Sequence, residues 1–297
     1  TRQGTVFNIT KDSNNTKTTQ QNVTSSEVLS NTNLRVRGHE SVDISGSNVS
    51  ANDKLDISSN GNVTVSGQAA EGSSTVDTTS LGVNFYAKEK SDKQYAAGVR
   101  VEHNSTGKTQ SSTSHTASNI KAGNITISSG NTATVAGSNI DAKQDVSITG
   151  KDVNVISSHD KSKETTNSTT VGGGFYYTGG IDKLGSGYEG SVDTSNTTVN
   201  TSTANTSSIK SGGNTNINAT NKISNEGTAF DANGDLNLQA KQIDNKAAVS
   251  SRTETSDKVS VGVDIGANVD YSNITRPVEK GVKKVAEGGT PPGTGVV

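Results

Sequence analysis

The chain has 297 residues, of which 28% are hydrophobic and 3% aromatic, and its 27 basic and 29 acidic residues leave a formal net charge of -2. So little apolar material excludes a compact core of ordinary size, and the lack of a basic stripe with interleaved aromatics excludes a nucleic-acid surface. With no Cys in the chain, disulfides and thiolate metal sites are excluded, and no stretch approaches the roughly 18 apolar residues of a membrane helix.

In chain order, residues 1–24 open on "TVFNIT" and read as the end of a preceding hairpin, with Phe7 and Ile9 placed as Val99 and Val101 are later. Residues 25–66 carry apolar pairs with one residue between them: Leu34/Val36, Val42/Ile44, Leu55/Ile57 and Val63/Val65. Such period-2 spacing puts both members on one face of a short strand. Residues 67–117 hold "LGVNFYA", the charged turn "KEKSDK" and "QYAAGVRV", a long β-hairpin with a Ser/Thr-rich stem. Paired apolar residues return over 118–156. A second hairpin is expected over 157–206, around "TVGGGFYYTGG". Paired residues return again over 207–244, and a third excursion over 245–276 contains "VSVGVDIGANVDY". Residues 277–297 read as a linker, with a short helix around 278–286. The chain has no Met and begins at Thr1, so it reads as a piece of a longer protein.

Self-similarity underlies this order. "GSNVSANDKLDI", "GSNIDAKQDVSI" and "GTAFDANGDLNL" place Ala51, Ala142 and Ala232 at offsets of 91 and 90 residues, so a unit of about 90 residues occurs about three times. Inside the units, Leu34 to Leu55 and Ile125 to Val146 are each 21 residues, while Ile217 to Leu236 is 19, a loosening of the rhythm. A turn of about 20 residues made of short strands fits one coil of a right-handed parallel β-helix, in which neighbouring coils cover one another. Stacking pairs every backbone group with the next coil and lets Asn, Ser and Thr form ladders. A disordered linker has no reason to keep apolar alternation at fixed spacing.

Aromatic residues sort by region: of four Phe and six Tyr, only Phe230 falls in a coil. The expected membrane or partner contacts are therefore Phe85, Tyr86, Tyr95, Phe175, Tyr176, Tyr177, Tyr188, Val261, Val263, Ile265 and Tyr271. Two readings stand. The hairpins pack on one another or on the flank of the coils, or they meet a lipid or protein surface. Val259–Tyr271 has the length and alternation of a membrane strand. The four His are scattered without metal-ligand spacing, and carboxylates such as Asp56, Asp145 and Asp235 sit at repeat-related outward positions. No catalytic residue, metal site or cofactor is expected.

The repeating "AGNITISSG" and "GSNIDAKQDVSITGKDVNV" with their Ser/Thr/Gly-rich excursions resemble the haemagglutinin repeats of filamentous-haemagglutinin-like, two-partner-secretion exoproteins. They look most like those of contact-dependent growth inhibition (CdiA-type) effectors. The resemblance covers essentially the whole chain and implies a non-catalytic β-helical rod. It further implies export through an outer-membrane transporter of the producing Gram-negative cell, and a secreted, cell-surface location. Its partner would be a target cell's outer membrane or receptor, engaged or entered by the hairpins during toxin delivery. The alternative is the shaft of a filamentous adhesin that binds host glycans or proteins.

Overall fold

The computed structural model describes residues 3–91, 94–180 and 183–271. Of the expected turn "KEKSDK" at 88–93, the first four residues continue a strand that runs to Ser91; residues 92–93, the end of the third excursion at 272–276 and the tail at 277–297 with its helix lie outside the described residues.

Strand β1 (Gln3–Gln20) comes first. A first coil follows in β2 (Glu27–Ser30), β3 (Leu34–Gly38) and β4 (Ser41–Ser45), and a second in β5 (Asn48–Ala51), β6 (Lys54–Ser59) and β7 (Asn62–Ser66). The chain then leaves as the hairpin β8 (Gln68–Ser91) and β9 (Gln94–Thr116). It returns for a third coil, β10 (Asn119–Ala122), β11 (Asn124–Ser129) and β12 (Thr132–Ala136), and a fourth, β13 (Asn139–Ala142) and β14 (Val146–Ile156). A second hairpin, β15 (Ser158–Gly180) and β16 (Lys183–Asn205), precedes a fifth coil, β17 (Ser208–Ser211) and β18 (Thr215–Glu226). The sixth coil is β19 (Ala229–Ala232), β20 (Leu236–Gln239) and β21 (Gln242–Lys246), and β22 (Ser251–Asp270) closes the described chain.

The coils stack as a parallel β-helix with three faces. One face is the sheet β19-β17-β13-β10-β5-β2; the other two share a ten-stranded sheet in which β14 and β18 each run through both. Pairing is in register, so side chains form inward columns: Val36, Ile57, Ile127, Ile148, Ile217 and Leu238 make one of them. Its middle members are at most 1% exposed. Two apolar residues per short strand suffice because each coil is roofed and floored by its neighbours. Between the columns an Asn ladder runs along one edge, with Asn119 donating to Asn48 and Asn139 to Asn119, both at 3.0 Å.

The rhythm does not loosen in the third unit. Thr215 pairs with Leu236 and Ile217 with Leu238, 21 residues apart as elsewhere. The inward position before Ile217 is filled by Thr215, fully buried and held at 2.8 Å by the Ser211 hydroxyl. A buried hydroxyl is tolerated there because it has a partner.

Two kinds of corner alternate along the rod. Within each pair of coils the chain turns at Gly46, Gly137 or Gly227, with φ of 56°, 53° and 61°, a region that carries a steric cost for a residue with a Cβ. Between pairs the corner is where a hairpin leaves. There the returning chain brings in Ser118 or Ser207, each fully buried. Ser118 Oγ donates to the Ser66 carbonyl at 2.7 Å and Ser207 Oγ to the Ile156 carbonyl at 2.6 Å. Each of these carbonyls also accepts a backbone N–H, from Gly46 or Gly137, at 3.0 Å, so the buried hydroxyl has its partner and ties the returning chain to the corner.

Candidate functional site

The long arms do not lie on the rod. They join edge to edge in one antiparallel sheet, ordered β1-β8-β9-β15-β16-β22. Among the described residues, no coil strand packs extensively against it beyond the junctions where the arms leave. Arms of 18 to 24 residues therefore make a single-layer ribbon with two independent faces.

Register decides what each face carries. Phe7, Phe85, Val99, Phe175, Tyr188 and Ile265 form one continuous row across all six strands. The next row towards the rod is Ile9, Val83, Val101, Gly173, Gly190 and Val263, and the one after ends in Val171, Val192 and Val261. Towards the tips the same face bears Tyr95, Tyr177, Leu184 and Val269. Among the aromatic side chains of this face Phe85 is the least exposed, at 38%, and Tyr188 the most, at 73%; Val83 and Val99 are half-buried between their neighbours. Phe7 and Phe85 rest against each other, with ring centroids 5.9 Å apart.

From Val261 to Val269 the apolar band is about 27 Å tall and, over six strands, about 29 Å wide by strand rise and spacing. Its outline, about 780 Å² on those spacings and interrupted by Lys11 and His103 in the row of Val261 and by Glu89 in the row of Val269, exceeds what a monomeric soluble protein ordinarily exposes in one patch. Nearer the rod the face turns to Thr, Ser, Asn and Lys, as in the row Lys17, Thr75, Thr109, Thr165, Thr198 and Thr255.

The opposite face is polar and self-satisfied. Tyr86, Gly98, Tyr176, Gly187 and Gly266 form one row on it. The tyrosine rings lie sideways over the glycines: a Cβ added at Gly187 would sit 2.5 Å from Tyr176 Cζ, and one at Gly98 2.9 Å from Tyr86 Oη. Tyr86 donates to Glu189 at 3.1 Å and Tyr176 to Asp264 at 2.5 Å. Arg100 reaches Glu189 and Glu102, both at 3.5 Å, and donates to Ser191 at 2.6 Å. Burial, and then the Glu189 carboxylate, push the Tyr86 phenol up to about 12.

The eleven residues expected as contacts therefore divide. Phe85, Tyr95, Phe175, Tyr177, Tyr188, Val261, Val263 and Ile265 share the exposed apolar face. Tyr86 and Tyr176 part from them: each is 4% exposed, on the polar face, where its ring covers glycines. Tyr271 follows the end of β22 and donates to the Gly180 carbonyl at 2.7 Å. Phe7, Ile9, Val171, Val192 and Leu184 belong to the apolar face as well. Strand parity carried across the hairpins identifies all of them.

Where the arms meet the rod, Asp160 on β15 accepts from the His115 backbone N–H at 2.8 Å and faces its Nδ1 at 3.1 Å. Burial by itself would raise the Asp160 carboxyl, but hydrogen bonds from Asn205 and His115 outweigh it and hold the group below the usual value. A depressed carboxylate contributes stability above its unfolded pKa and loses it as pH falls through the folded one. In thermal melts, the gap between the chain and its Asp160→Asn variant should be full at neutral pH. It should close only below the ordinary carboxylate range.

Nearby, a groove of about 620 Å³ crosses the base of the ribbon and is lined by Thr19, Glu71, Ser111, Lys161, Lys163 and Ser202 among others. Among the described residues no group of three or more His, Asp or Glu side chains is placed to hold a metal ion.

Comparison with known proteins adds two findings. The family model described as "Hemagglutinin repeat" matches residues 7–173 and 187–293. A protein named "Hemolysin" from Serratia marcescens is 41% identical over 288 residues, and one of the same name from Proteus mirabilis is 34% identical over 283. These alignments take in 96% and 95% of this chain but 18% of each relative, so the chain spans about a fifth of their length. No solved structure matches the chain.

Proposed function

The chain belongs to the hemagglutinin repeat family, and from that premise we propose that it is a non-catalytic rod segment of an exported bacterial surface protein whose hairpin ribbon engages the lipid of a target membrane. The coil blocks serve as the shaft and the hairpins as the working parts. The observation that carries this reading is the apolar face, whose row from Phe7 to Ile265 is apolar on all six strands, with Phe7, Phe85, Phe175, Tyr188 and Ile265 exposed. Its height of about 27 Å is close to the roughly 25 Å apolar band of membrane β-sheets. Among the described residues no helix is long and apolar enough to cross a membrane, a statement that leaves strands untouched. On the polar face Lys88 and Arg100 pair with Glu189, and Arg100 also with Glu102, and this face turns to water.

The name shared by the two relatives supports a membrane as the target. Export through an outer-membrane transporter of the producing Gram-negative cell, and a surface location, belong to the same proposal. So does the finer likeness to growth inhibition effectors, in which the ribbon meets the outer membrane of a target cell while a toxin is delivered. The polar groove beside Lys161 and Lys163 favours a second reading, an adhesin shaft that binds glycans or proteins.

Flotation with phosphatidylethanolamine–phosphatidylglycerol vesicles separates the two. The chain is expected to float, and a Phe85→Ser/Phe175→Ser/Ile265→Ser variant, altered only at exposed positions, is expected to stay behind with an unchanged circular dichroism spectrum. Flotation of both, or of neither, overturns lipid contact through this face; failure of both leaves the adhesin shaft.

A further inference from the structure

Glycines on the two faces of the ribbon have opposite surroundings. On the polar face Gly98, Gly187 and Gly266 are roofed by tyrosine: a Cβ added at any of them would come within 2.9 Å of Tyr86 or Tyr176. On the apolar face Gly173 and Gly190 pair side by side on β15 and β16, and no side chain covers them. A Cβ there would meet only backbone, Glu189 O at 3.6 Å and Gly172 O at 3.9 Å. The two glycines floor a hollow. Phe175 and Tyr188 rim it towards the tips, and Val171 and Val192 towards the rod.

A matching knob stands on the same strand. Tyr177 is 65% exposed and lies as far beyond Phe175 as Gly173 lies before it. Its row is otherwise small: Ala87, Ala97, Ser186 and Ala267. The row of the hollow carries Val83, Val101 and Val263 beside the two glycines. The rows on either side of Phe175 are therefore complementary in size. Val83 answers Ala87 on β8, Val101 answers Ala97 on β9, Gly173 answers Tyr177 on β15 and Val263 answers Ala267 on β22. On β16 Gly190 and Ser186 are both small, which leaves room for the ring.

This pattern fits a second copy of the chain. A two-fold axis laid between two facing ribbons, along the row of Phe85, Val99, Phe175 and Tyr188, sets each strand over its own counterpart running the other way. Each row then faces its complement. Aligned sheets pack about 10 Å apart and turned by roughly 30°. That turn displaces least at the middle of the ribbon, where β9 and β15 lie. Two outlines of about 780 Å² together bury about 1,560 Å², the size of a standard stable interface.

We propose that in water the apolar faces of two molecules pack against each other as a two-fold β-sandwich, with Tyr177 of each copy seated in the Gly173–Gly190 hollow of the other. The interface is isologous, so association stops at two, and the two rods lie at opposite ends of the sandwich. Pairing does not require lipid; lipid contact uses the same face once the pair has opened.

Sedimentation equilibrium in lipid-free buffer tests the pairing. The chain is expected to form dimers and nothing larger. Gly173→Tyr fills the hollow and Tyr177→Gly removes the knob. Both positions are exposed, and Gly173 is not among the glycines of positive φ, so each variant is expected to keep the circular dichroism spectrum of the chain. Each is expected to dimerise about tenfold more weakly or worse, the loss of a central aromatic contact. Mixed together, the two variants are expected to pair with each other at close to the original strength. The added ring of one meets the vacated site of the other, and the remaining Tyr177 meets the remaining Gly173. A monomeric chain, species that grow beyond the dimer, or a mixture no stronger than its components would each overturn the pairing. The result for the unaltered chain stands whether or not the variants fold. A chain that is monomeric in buffer yet floats with vesicles would leave this face to lipid alone.

Discussion

A chain lacking residues 119–207 is expected to fold and melt cooperatively, whereas one lacking only residues 119–138 is expected to lose the continuity of its ribbon. The first deletion removes two coils together with the hairpin β15–β16. It joins Ser118 to Ser208 and stacks the second coil on the fifth. It also brings β9 beside β22, with Val99 and Ile265 already in one row. Everything removed from the rod is matched by what is removed from the ribbon. The second deletion takes out one coil and no strand. The two hairpin roots then come about 4.8 Å closer while their arms still need the full spacing, so β9 and β15 cannot stay paired along their length. Limited proteolysis reads the difference: cleavage in the Ser/Thr stems of β9 and β15 should appear in the short deletion and not in the long one. Equal protection of both chains would show that ribbon and rod are not coupled.

The second large effect concerns the inward columns. Ile127 is 1% exposed between Ile57 below and Ile148 above. Ile127→Ala removes packing from three consecutive coils at once and is expected to cost about 2–5 kcal/mol, a fall in Tm of roughly 4–20 °C for a chain of this size. Ile243→Ala, in the same rod but on the uncovered last coil at 40% exposure, is expected to cost about 1 kcal/mol or less. Calorimetry on the two variants measures how far the stability of a coil comes from its neighbours. Equal losses would contradict the stacked architecture.

Much of this was legible because the rod obeys a period of two within a period of about 21. Leu55, Ile57, Val63 and Val65 announce themselves as inward residues by spacing alone, and all four are fully buried. The same rule misleads where an inward position is polar. Thr215 breaks the apolar pattern yet fills its place in the column, and Asn225, inward near the far end of the same strand β18, donates to Asn245 at 2.7 Å. In the hairpins, grouping by residue type obscured the parity that sorts the faces. Phe175, Tyr176 and Tyr177 are consecutive, so the middle one had to point away from the other two, and Gly187 and Gly266 are the hollow into which it lies. The pairing of β9 with β15 and of β16 with β22 was not readable locally. Arms with equal alternation accept one another in several orders, and the rod settles which arms are neighbours.

The coils and the ribbon share one direction of hydrogen bonding, along the rod. Tension applied between the two ends therefore loads backbone bonds one rung at a time instead of shearing a whole strand. Such a body resists bending, because three sheets brace it, yet yields to a steady pull by peeling from its last coil. The natural stopping points of that peeling are the buried hydroxyls of Ser118 and Ser207, which pin the chain across the gaps where the hairpins depart.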